Sequence, residues 1–88
     1  MNREKFLRII RENPGWEDMI NNGTPSIEIT IEDVVFLIYR NDVTYYLRAE
    51  PKGKAQLATV RRVNELMSSC RKELTKELER GDTARLIR

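Results

Sequence analysis

Residues 26–49 read SIEITIEDVVFLIYRNDVTYYLRA. Apolar and polar side chains alternate through three short runs, separated only by Glu32-Asp33 and Asn41-Asp42. Successive side chains of a strand point to opposite faces, so this alternation predicts three half-buried strands. Their spacing predicts an antiparallel meander. A two-residue reversal at Glu32-Asp33 sets Ile31 opposite Val34, Ile29 opposite Phe36 and Ile27 opposite Ile38. A second at Asn41-Asp42 sets Ile38 opposite Tyr45, Phe36 opposite Leu47 and Val34 opposite Ala49. Directly opposed residues share a face. Both reversals thus put Ile27, Ile29, Ile31, Val34, Phe36, Ile38, Tyr45, Leu47 and Ala49 on one core side.

The opposite face carries Glu28 and Thr30, then Val35, Leu37 and Tyr39 on the central strand, then Thr44, Tyr46 and Arg48. Its middle is apolar. An exposed apolar patch of a few hundred Å² on a monomer usually has a reason. Two reasons fit: a terminal segment that covers it, or a partner or self-association surface centred on Val35, Leu37, Tyr39 and Tyr46.

Outward from the sheet, Asn2 is placed to cap a first helix with Phe6, Ile9 and Ile10 as its apolar stripe. That helix stops near Glu12, because the residue before Pro14 avoids helical geometry. Asn13-Pro14 then caps and opens a short second helix that ends at Asn22-Gly23. Trp16, the only tryptophan, is expected to bury its ring against the sheet.

On the far side, Glu50-Pro51-Lys52-Gly53 connects to one long helix over about residues 54–80, with Gly81 as its stop. Leu57, Val60, Val63, Met67, Cys70, Leu74 and Leu78 form its apolar stripe. Such a helix is about 40 Å long, whereas a seven-residue strand spans about 23 Å. Its far end, with Leu74 and Leu78, therefore needs another cover. A second chain is one answer; the first helix or the tail Thr83 to Ile87 is the other. The prediction is a single α+β domain over residues 1–88. It divides into an N-terminal helical segment (1–23), the meander (26–49), a long amphipathic helix (53–80) and a tail (81–88).

Composition narrows the function. The chain has 88 residues with no His and one Cys. Histidine-based catalysis and His metal sites are thereby excluded. Cys70 lies on the apolar stripe and reads as a buried, inert thiol. Glu17-Asp18 and Glu32-Asp33 are explained by a helix first turn and a hairpin turn, and the four dispersed glycines form no phosphate loop. No catalytic, cofactor-binding or metal-ligating residue is expected. The longest apolar run, Val34 to Tyr39, is too short to span a bilayer. Charges interrupt the N-terminal MNREKFLRII, which does not read as a signal peptide. A lone cysteine points to a reducing, cytoplasmic setting.

The net charge of +2 is unevenly spread. Residues 1–44 carry five basic and eight acidic groups, residues 45–88 eleven and six. Arg48, Lys52, Lys54, Arg61 and Arg62 oppose only Glu50, and phosphate contacts are the natural use of such a patch. Pairing of Glu65 with Arg61 and Arg62 is the simpler use of the last two. The order helix-strand-strand-strand-helix is shared with double-stranded-RNA-binding domains. Of their residues only Gly53-Lys54-Ala55 resembles the start of the last helix, and element order alone carries no function, so no family is assigned. The expectation is a non-catalytic interaction or regulatory protein, homodimeric through Val35, Leu37, Tyr39, Tyr46, Leu74 and Leu78. The alternative is a dimeric nucleic-acid binder using the five basic residues.

Overall fold

A computed structural model describes residues 1–41 and 46–87. Two short helices, α1 (Arg3–Glu12) and α2 (Pro14–Asn22), precede three strands: β1 (Ser26–Ile31), β2 (Val34–Asn41) and β3 (Tyr46–Pro51). A long helix, α3 (Leu57–Ile87), follows. The strands form one antiparallel sheet in the order β1-β2-β3. The fold is α+β with the element order read from the sequence.

Local chemistry explains the helix ends. The Asn2 side-chain oxygen accepts the Lys5 N–H at 2.8 Å, capping α1. Asn13 ends α1 and caps α2, its side chain accepting the Gly15 N–H at 2.8 Å ahead of a proline in the first turn. Gly23 closes α2 in the left-handed region, at φ 70°.

The first hairpin has the expected register, with Ile31 opposite Val34, Ile29 opposite Phe36 and Ile27 opposite Ile38. Glu32 and Asp33 both take positive φ, 50° and 65°, so the turn has the twist hairpins favour without the usual glycine. The second register differs from expectation. Ile38 lies opposite Ala49 and Phe36 opposite Pro51, a shift of four positions. The strands still pair at Asn41 and Tyr46, so the reversal is not at Asn41-Asp42. Asp42, Thr44 and Tyr45 lie outside the described residues. Because the shift is even, each described side chain keeps its face. Phe36, Ile38, Leu47 and Ala49 are all buried on the core side.

All three helices lie on that one side. Phe6, Leu7 and Ile10 of α1, Trp16 and Met19 of α2, and Val63, Met67, Cys70, Leu74 and Leu78 of α3 form a single cluster with the strands' inner face. Trp16 is 2% exposed, and its Nε1–H donates to Glu77 Oε1 at 3.3 Å. The 31 residues of α3 account for the molecule's 44 Å long axis.

Two expectations about α3 are corrected. Leu74 and Leu78 are fully buried within the chain and present no surface to a partner. The cover is α1 followed by α2, which run along the C-terminal half of α3. Arg3 pairs with Glu73, Arg11 with Glu77, and Arg85 donates to the Ile20 carbonyl. Gly81 is not a stop either. It is buried in mid-helix where α2 crosses, and a Cβ there would collide with the Ile20 carbonyl oxygen. The residue that resembles a terminator permits a close crossing.

Candidate functional site

With every helix on one side, the other face of the sheet has no second layer. Alternation places Glu28 and Thr30 of β1, Val35, Leu37 and Tyr39 of β2, and Tyr46, Arg48 and Glu50 of β3 on that side. Val35 is 38% exposed, while Leu37 and Tyr39 are half-buried. Long polar side chains supply the partial cover. Lys52 Nζ meets Glu28 Oε1 at 2.6 Å. Lys52 follows β3, with its N–H bonded to the Val35 carbonyl, and Glu28 is on β1 opposite Leu37, so this bridge crosses the central strand. The Tyr39 hydroxyl donates to Glu50 Oε1 at 2.7 Å, a bond that pushes the phenol pKa up.

Both edges of the sheet carry a side chain on an outward carbonyl. Asn13 Nδ2 donates to the Glu28 carbonyl at 2.9 Å on β1. Arg71 Nε donates to the Leu47 carbonyl at 2.8 Å on β3. Edge strands handled in this way are poor templates for an added strand.

The five basic residues named from the sequence are dispersed. Arg48 and Lys52 are on the open face, Lys54 is on the connection to α3, and Arg61 and Arg62 are on the first turns of α3. Lys52 is neutralised by Glu28. Arg62 pairs with Glu32 at 2.8 Å rather than with Glu65, and its hydrogen bond holds the Glu32 carboxyl below the usual range. Lys54 and Arg61 are exposed and form no ion pair among the described residues.

A different basic surface lies between β3 and the outer flank of α3. Tyr46 turns toward the helix, and the Arg71 guanidinium stacks 4.0 Å from its ring centroid. Two adjoining hollows share Tyr46, Ser68 and Arg71 and together form a groove: Arg48 and Glu50 line one, and Lys72, Thr75, Lys76 and Glu79 the other. Tyr46 and Arg71 are far apart in sequence, and only the true register of β3 brings them together. The helical spacing of Ser68, Lys72 and Thr75 was the one local signal for this stripe.

The remaining chemistry is sparse. Cys70 is fully buried, and burial pushes its thiol pKa up. Among the described residues no three His, Cys, Asp or Glu side chains group to hold a metal ion, and no helix is long and apolar enough to cross a membrane. Comparison of the chain with known protein families, with curated proteins and with solved structures finds no match.

Proposed function

We propose that this chain is a small, non-catalytic interaction protein that pairs with a second copy of itself through the open face of its sheet. The observation that carries the reading is the uncovered strip Val35, Leu37 and Tyr39 on β2, left without a second layer although three helices were available. The charges around it favour a self-complementary contact. Glu28 stands at one side, bridged to Lys52 within the chain, with Arg48 at the other. A two-fold axis parallel to β2 lays each β1 over the partner's β3 and brings these opposite charges together. A cytoplasmic setting is consistent with an unpaired, buried thiol.

Magnitude sets the strength of the pair. Three strands spaced about 4.8 Å apart and about 20 Å long give a footprint of roughly 300 Å². Stable dimers bury about 800 Å² per partner. The pairing is accordingly weak and concentration-dependent. Light scattering behind size exclusion tests it: apparent mass rises from the 10.4 kDa monomer towards twice that value as the loading concentration increases. Leu37→Asp holds the chain at monomer mass at every loading. A wild-type mass that never leaves the monomer, or a Leu37→Asp variant that still pairs, removes the proposal.

A further inference from the structure

We infer that the groove between β3 and the outer flank of α3 binds single-stranded nucleic acid, with Tyr46 as a stacking platform and Arg48, Arg71, Lys72 and Lys76 as phosphate contacts. This surface borders the proposed pairing face and shares Tyr46 and Arg48 with its margin, but the inference does not depend on pairing. Three observations converge. Tyr46 remains 44% exposed although Arg71 covers part of its ring. An aromatic held in this way offers its exposed remainder to an unpaired base without ordering cost on binding. The Arg71 guanidinium is half-buried yet forms no ion pair among the described residues, so its charge is available to an anion.

The cations also outnumber the acids. Arg48, Arg71, Lys72 and Lys76 line the groove against Glu50 and Glu79, and Glu50 already accepts the Tyr39 hydroxyl. Lys72 and Lys76 are one helical turn apart, about 6 Å along the axis, and so lie on one flank of the helix. Ser68 and Thr75 add hydroxyl donors beside them. An acidic peptide would satisfy the cations but has no use for the ring. A duplex keeps its bases stacked and leaves Tyr46 idle.

Fluorescence anisotropy with a labelled oligothymidine of about twelve nucleotides tests the inference, with the same strand in a duplex and polyglutamate as comparators. The single strand is expected to bind at about 50 mM salt and to weaken by about 50-fold at about 200 mM, as for four neutralised phosphates. Tyr46→Ala is expected to lose at least about fivefold in affinity while Tyr46→Phe retains it, the signature of stacking. Lys72→Glu with Lys76→Glu, both exposed, removes binding without touching the core, and Leu37→Asp leaves it intact. Circular dichroism confirms that each variant is folded. Absence of saturable single-strand binding at low salt overturns the inference. So does an unchanged affinity in Tyr46→Ala, or binding of polyglutamate or duplex as tight as that of the single strand.

Discussion

Arg40 of β2 grips Asp82 of α3 with two terminal nitrogens, Nη2–Oδ2 at 2.5 Å and Nη1–Oδ1 at 3.3 Å. The Arg40 side chain is 11% exposed and that of Asp82 25%, so the pair sits at the rim of the core, where Arg85 also reaches Asp82. Asp82 serves both Arg40 and Arg85, so its removal takes a carboxylate from two partly buried guanidinium groups. Asp82→Ala is expected to cost about 1–3 kcal/mol in urea unfolding. Arg40→Leu combined with Asp82→Leu is expected to recover part of that loss, since of the three charges only Arg85 is then left without its carboxylate. Equal losses in the single and double variants would show that the pair contributes attraction rather than mutual satisfaction.

The same pair makes stability depend on pH. Hydrogen bonding from Arg40, reinforced by the Arg40 and Arg85 charges, holds the Asp82 carboxyl below its ordinary range. Arg62 does the same for Glu32. A carboxyl whose folded pKa is depressed stabilises the fold above its unfolded value, near 4, and loses that contribution as pH falls through the folded one. The melting temperature should therefore be flat near neutrality and fall below about pH 4. Asp82→Asn should flatten that fall, and an identical pH profile in the variant would contradict the assignment.

Gly81→Ala supplies a test by sign. In an ordinary exposed helix interior the change stabilises by about 1 kcal/mol. Here the added methyl runs into the Ile20 carbonyl of α2. Thermal unfolding should show a loss of about 3 kcal/mol, because two backbones have to separate.

The first hairpin offers room for improvement. Asp33 takes φ 65° without being a glycine. Asp33→Gly should raise stability by about 0.5–1 kcal/mol, since the side chain makes no ion pair among the described residues that would be lost. Calorimetry checks it, and a lower melting temperature would mean that the Asp side chain supports the turn.

What the sequence made legible is what local chemistry decides. Asn2, Asn13-Pro14 and Gly23 mark their helix ends through a few neighbouring atoms, and Glu32-Asp33 stands between an alternating run and an unbroken apolar one. The second hairpin escaped for a definite reason. A pattern of period two is blind to an even displacement, so a shift of four preserved every described inward side chain and left no trace in composition. Gly81 was misread because a terminator and a close crossing both require a missing Cβ. Leu74 and Leu78 were misassigned because helical periodicity reports an apolar face and not which element covers it. Lys52 and Arg62 looked unopposed only because Glu28 and Glu32 are distant in sequence and adjacent in space.

The plugs at the two sheet margins have a consequence for behaviour in a crowded solution. A foreign strand approaching β1 must first dislodge Asn13, and one approaching β3 must dislodge Arg71 and then meets Pro51, which offers no N–H. Ribbon-by-ribbon growth is thereby disfavoured on either flank, whatever the concentration of the chain.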